Sequence, residues 1–224
     1  MKFGILGGTF DPVHFGHLRT AEEVVETFEL EKVYLLPSKM PPHKKSKLIT
    51  PFSERAYMIK LAIEESKMLD ILDIEGKRNG YSYTIDTLKY IYSDPFFGKN
   101  PEIYFILGSD AFLEIHTWKD YRKLFYYANF VVVERPGYNY KNIIKVLRRL
   151  CIIKDNDFKN KNVLPLITGK FIYILSVTFM DISSTKIRKL IRQKRSISFL
   201  LPEKVKDYIL KKGLYLIKGD ESNR

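Results

Sequence analysis

Six short apolar runs alternate with longer helical patterns along this chain, and that alternation leaves few folds open. The runs cover residues 2–6, 33–36, 71–74, 103–107, 130–133 and 171–177. Most are continuously apolar, as strands covered on both faces of a parallel sheet should be. Between them, apolar residues recur at helical spacing near 15–28, 53–67, 84–93, 119–127, 183–194 and 203–212. The pattern predicts a doubly wound parallel α/β domain, whose ligands bind beyond the carboxyl ends of the strands. At 224 residues the chain can form one such domain with an insertion. Hydrophobic residues make up 45%, enough for a packed core.

Two segments break the rhythm. Residues 138–170 are basic and rich in Asn and Lys, and read as an insertion with one short helix at 140–150 within a domain spanning 1–215. Residues 216–224 read as a polar tail. The formal charge of +12 favours anionic partners, without choosing between nucleotide phosphates and nucleic acid. A single cysteine, Cys151, excludes an internal disulfide framework and a Cys-based zinc site. No apolar run approaches the ~18 residues of a membrane span, and residues 1–7 are too short for a signal peptide. The expectation is a soluble, cytoplasmic chain.

Chemistry concentrates first at Gly7-Gly8-Thr9-Phe10-Asp11-Pro12-Val13-His14-Phe15-Gly16-His17, between the first strand and the first helix. Gly7 and Gly8 permit a tight turn and close approach of backbone N–H groups to a ligand. Pro12 suits a helix entry. His14 and His17 are three residues apart, so they share a face at the positive end of a helix. Gly16 removes a side chain from between them. A phosphate site, a plain turn with incidental histidines and a metal pair are all open readings of these residues.

A second candidate is Ile182-Ser183-Ser184-Thr185-Lys186-Ile187-Arg188, the start of a helix with Ile187, Leu190 and Ile191 on its apolar face. Ser183 or Ser184 can cap it. The first turn carries Lys186 and Arg188 where acids are normally favoured. Hydroxyls, spare N–H groups and an arginine at a helix start suit phosphate as well as they suit a solvated basic surface.

Both segments resemble the phosphate signatures of the HxGH nucleotidylyltransferase superfamily. The resemblance implies a Rossmann-like fold and in-line attack of an acceptor on the α-phosphorus of ATP, with no covalent enzyme intermediate. It implies catalytic roles for His14, His17 and Arg188. ATP would be bound by Gly7, Gly8, Thr9, Phe10, His14, His17, Gly108, Asp110, Arg135, Ser183, Ser184, Thr185 and Arg188. No carboxylate cluster suggests a protein-held metal, so Mg²⁺ is expected to arrive on the ATP phosphates.

Further segments resemble the nicotinate mononucleotide branch. Pro41-Pro42-His43-Lys44 follows the second strand, Ser82-Tyr83-Thr84 opens a helix, and Gly108-Ser109-Asp110 ends the fourth strand. Thr117-Trp118 holds the only tryptophan, and Glu134-Arg135-Pro136-Gly137 follows the fifth strand. They imply that Ser38, His43, Lys44, Tyr83, Thr84, Trp118 and Lys119 bind the acceptor. The resemblance covers roughly residues 1–137 and 171–215, and departs from some relatives at Ser38 and Phe179. The expected reaction is AMP transfer from ATP to nicotinate mononucleotide in NAD synthesis. The expected partners are ATP and a pyridine mononucleotide, with neither nucleic acid nor membrane, and a homo-oligomer stays open. The alternatives are nicotinamide mononucleotide or phosphopantetheine as acceptor, or a basic nucleic-acid-binding protein.

Overall fold

A computed structural model describes residues 1–40, 49–134, 140–150, 152–153 and 162–216. Strands β1 (Lys2–Gly8), β2 (Lys32–Pro37), β3 (Leu69–Ile71), β4 (Glu102–Gly108), β5 (Ala128–Val133), β6 (Val163–Pro165) and β7 (Phe171–Leu175) form one sheet. Its order is β3-β2-β1-β4-β5-β7-β6. Every pairing is parallel except the hairpin of β6 with β7. The chain runs outward from β1 to β3, then returns to lay β4 against the other side of β1. That reversal opens a crevice at the carboxyl ends of β1 and β4, where doubly wound sheets bind ligands.

The strands read as continuous apolar runs because helices cover both faces. Along β4, Ile103, Phe105 and Leu107 enter one core cluster, while Tyr104 and Ile106 enter the other. The second cluster is closed by α1 (Phe15–Phe28), α2 (Phe52–Ile63), α8 (Ser184–Arg192) and α9 (Glu203–Lys212). The first lies beneath α4 (Thr84–Ser93), α5 (Ser109–Leu113), α6 (Tyr121–Tyr127) and α7 (Tyr140–Leu150). On α8, Ile187 and Ile191 are buried and Leu190 packs against the same cluster, as its spacing predicts.

The third strand lies earlier than expected. It spans Leu69–Ile71, and Ile74 opens the one-turn helix α3 (Ile74–Lys77). Apolar residues at 71, 72 and 74 satisfy a strand and a core-facing turn equally well, so local pattern could not separate them. Within 138–170, α7 buries Ile143, Ile144, Leu147 and Leu150 in the main cluster, and β6 supplies an antiparallel edge. At three residues, β6 is too short to announce itself by alternation.

Candidate active site

The turn after β1 is not made by its glycines. Gly7 and Gly8 finish the strand, and the left-handed backbone falls on Phe10, with φ 50°. Gly8 is needed for space instead: a Cβ there would lie 2.9 Å from the Phe10 ring, which folds back over it. That ring is almost wholly buried and meets His17 edge-on at 4.9 Å. The side chain of Phe10 therefore supports the histidine, which leaves only its main chain to face the turn.

His14 is the N-cap of α1 and His17 lies in its first turn. Their rings stack at 3.6 Å, and the backbone N–H of His14 donates to Nδ1 of His17 at 3.3 Å. A neutral His17 that accepts at Nδ1 carries its proton on Nε2, which makes that nitrogen a donor. Gly16 makes the stack fit, since a Cβ there would sit 3.2 Å from Nδ1 of His14.

Helix α8 docks its amino end on the same turn. Oγ of Ser183 caps the helix by accepting from the N–H of Lys186. Oγ of Ser184 donates to the Pro12 carbonyl at 2.8 Å. Nη1 of Arg188 donates to the Asp11 carbonyl at 2.6 Å, and Nη2 to Oγ1 of Thr185 at 3.3 Å. Neither α1 nor α8 has an acidic residue in its first turn. Two positive helix ends, two imidazoles and a guanidinium thus share one place, which suits a polyphosphate.

The acceptor candidates gather on the other side of the β1–β4 crevice. The ring of Trp118 stands edge-on to Phe105 at 6.3 Å, and Tyr83 packs against the same cluster. Nζ of Lys119 lies 4.7 Å from the Tyr83 ring and donates to Asp86 at 2.9 Å. Asp86 holds the Lys119 pKa above its ordinary value through that hydrogen bond. Thr84 begins α4, and Gly108 with Asp110 straddles the end of β4. Ser38 donates its N–H to the Gly8 carbonyl at 2.9 Å. His43, Lys44 and Arg135 lie outside the described residues.

Three residues that matter to this geometry carry no role in the sequence reading. Arg55, on α2, is buried and donates to backbone carbonyls around the turn. Asp11 is buried and accepts from the hydroxyl of Tyr215 at 2.8 Å. Burial, with Asp11 beside it, pushes the Tyr215 hydroxyl well above its ordinary range, so it stays a neutral donor. The signal for Arg55 was present. It occupies the buried stripe that continues through Met58, Ile59 and Ile63, where a charge needs partners.

Among the described residues, no group of three or more His, Cys, Asp or Glu side chains could hold a metal ion. Nor is any helix among them long and apolar enough to cross a membrane.

Residues 5–190 match the cytidylyltransferase-like family. The "probable nicotinate-nucleotide adenylyltransferase" of Desulfatibacillum aliphaticivorans is 42% identical over 223 residues, covering 96% of this chain and 100% of its own length. The protein of the same name from Thermoanaerobacter sp. (strain X514) is 40% identical, covering 100% of this chain and 97% of its own. In fold, the chain resembles Plasmodium falciparum nicotinic acid mononucleotide adenylyltransferase complexed with NaAD. That likeness has a TM-score of 0.72 at 22% identity and covers 96% of this chain and 97% of the other. The chain belongs to the cytidylyltransferase-like family and, within it, to the nicotinate-nucleotide adenylyltransferases.

Proposed function

We propose that this chain transfers AMP from ATP to nicotinate mononucleotide on the paired helix ends of α1 and α8. The observation that carries the reading is their convergence, held by Ser184 on the Pro12 carbonyl and Arg188 on the Asp11 carbonyl. A phosphate oxygen of the mononucleotide attacks the α-phosphorus of ATP. The bond from that phosphorus to the bridging oxygen breaks, and pyrophosphate leaves with the electron pair. Two phosphates are joined without a covalent enzyme intermediate, so the protein's contribution is alignment and stabilisation of charge.

His17 donates from Nε2 to the reacting phosphate, with its ring held by His14 and Phe10. Arg188 uses one edge of its guanidinium on Asp11 and Thr185, and its remaining N–H groups serve the departing pyrophosphate. The N–H groups at the start of α8 act beside it, and the main chain of Gly8, Thr9 and Phe10 lines the turn. Mg²⁺ bound to the ATP phosphates would share in neutralising them; the imidazole and guanidinium donors of the protein suit phosphate oxygens directly. Tyr83, Thr84, Trp118 and Lys119 receive the pyridine mononucleotide, and Gly108 and Asp110 border the adenosine. The chain acts in the cytoplasm.

The test is pyrophosphate release by the purified protein with ATP and Mg²⁺, offered nicotinate mononucleotide, nicotinamide mononucleotide or phosphopantetheine in turn. The adenine dinucleotide should form, with nicotinate mononucleotide giving the highest kcat/KM. Absence of product with both pyridine mononucleotides overturns the reading.

A further inference from the structure

Arg55 is 1% exposed, yet it contacts neither a solvent face nor an ion-pairing carboxylate within 4.0 Å among the described residues. Its fork reaches three backbone carbonyls from three separate segments. Nη1 donates to Thr9 at 2.7 Å, Nε to Thr50 at 2.8 Å, and Nη2 to Lys39 at 3.5 Å, the loosest of the three. Thr9 belongs to the phosphate turn after β1, Lys39 follows β2, and Thr50 leads into α2. Burial lowers the Arg55 pKa from its ordinary value, and the charge of Asp11 opposes that effect. A buried cation is expensive, and an apolar side chain would fill the same space at lower cost. Packing alone therefore gives no reason for an arginine here.

The Lys39 contact continues towards the acceptor side. The N–H of Lys39 donates to Oγ of Ser82 at 2.9 Å, and that of Met40 to the same oxygen at 3.3 Å. Ser82 returns its own N–H to the Met40 carbonyl at 3.1 Å. Nζ of Lys39 also donates to the Arg78 carbonyl at 2.7 Å. Ser82 is followed directly by Tyr83 and Thr84, the start of α4. A line of hydrogen bonds thus runs from Thr9 through Arg55 and Lys39 to Ser82, and the chain carries it on through Tyr83 into the acceptor helix.

We propose that Arg55 is a positioning residue that holds the phosphate turn and the acceptor helix in register, so that the acceptor's attacking oxygen meets the α-phosphorus in line. The inference rests on the functional reading above, which places ATP at Thr9 and the mononucleotide at Tyr83. In-line transfer depends on separations near 3–3.5 Å, and a misplacement of about 1 Å can cost ~10²-fold in rate. Each substrate meets its own half of the site whether or not the halves are aligned. Loss of Arg55 should therefore appear in kcat rather than in ground-state binding.

The experiment compares wild type, Arg55→Lys, Ser82→Ala and the double variant by steady-state kinetics, with circular dichroism and Tm recorded on the same samples. A lysine cannot reach three carbonyls at once, so Arg55→Lys should lower kcat by about 10²-fold while both KM values stay within about threefold. Ser82→Ala should lower kcat by about tenfold, and the double variant should be little worse than Arg55→Lys, because both cut one line. A folded Arg55→Lys with wild-type kcat overturns the inference, as does a double variant whose losses simply multiply. If Arg55→Lys fails to fold, Ser82→Ala decides, and an unchanged kcat there is equally fatal. Wild-type protein that is silent with the mononucleotide takes down the functional reading and this inference together. An active wild type with unaffected variants takes down the inference alone.

Discussion

Nη1 of Arg188 donates to the main-chain carbonyl of Asp11 at 2.6 Å, joining residues 177 positions apart in sequence. One bond thereby aligns the amino end of α8 with the turn that precedes α1, and it commits only part of a five-donor guanidinium. Arg188→Ala should weaken the use of ATP by about 1.5–3 kcal/mol in kcat/KM, the range for hydrogen bonds to a charged group. Arg188→Lys should recover only part of this, since an ammonium cannot serve the Asp11 carbonyl and a phosphate in the same planar geometry. Steady-state kinetics with varied ATP check it; an alanine variant with wild-type constants would remove Arg188 from the phosphate site.

His17→Ala should lower kcat by roughly 10²–10³, the usual cost of losing one donor to developing charge. The ring is half-buried at the helix start, so unfolding measurements should show only a small change in stability. Near-normal turnover in the folded variant would return His17 to a structural part of the stack with His14.

Gly16→Ala separates stability from activity. Alanine in a helix is favoured over glycine by up to about 1 kcal/mol. Here, however, its Cβ would stand 3.2 and 3.3 Å from two atoms of the His14 ring. The variant should keep or slightly raise Tm while kcat falls about tenfold, through displacement of the imidazole pair. Paired melting curves and turnover numbers test this, and unchanged turnover would mean that the His14 ring moves aside without consequence.

Glu23 gives a pH signature far from the chemistry. Its carboxylate accepts the N–H of Thr178 at 2.9 Å and Nε of Arg19 at 2.5 Å, tying α1 to the segment that leads to α8. Burial pushes its pKa up, but the hydrogen bonds with Thr178 and Arg19 outweigh that and hold it below the ordinary 4.5. The group is ionised more readily in the folded state. Its stabilisation is therefore complete above pH 4.5 and lost as pH falls through the lower folded value. Glu23→Gln should cost about 1 kcal/mol near neutrality, equivalent to roughly 2–4 °C in Tm, with solvent around Arg19 limiting the effect. Melting curves recorded from pH 7 downward should converge for the two proteins below pH 4.5. A constant gap would show that the charge of Glu23 contributes nothing.

Sequence alone determined the strands of the sheet apart from β6 and the exact place of β3, the longer flanking helices, and the two segments proposed to bind phosphate. Each is written in neighbouring residues: apolar runs, helical spacing, histidines three apart, and a capped helix without acids. Local pattern failed where one signal served two structures. Residues 71–74 could extend a strand or open a turn, and Gly7 and Gly8 looked like the bend that Phe10 makes. Only the three-dimensional structure decided why Gly8 and Gly16 lack a side chain, because the rings of Phe10 and His14, each two residues away, fold back against them. It also decided the meeting of Arg188 with Asp11, and of Arg55 with Thr9, Lys39 and Thr50. A backbone carbonyl has the same chemistry at every residue, so no sequence pattern marks the ones that a distant arginine will reach. Their selection comes from the parallel pairing of β1 with β2, which sets Thr9 beside Lys39, and from the packing of α2 and α8 in one cluster on that face of the sheet.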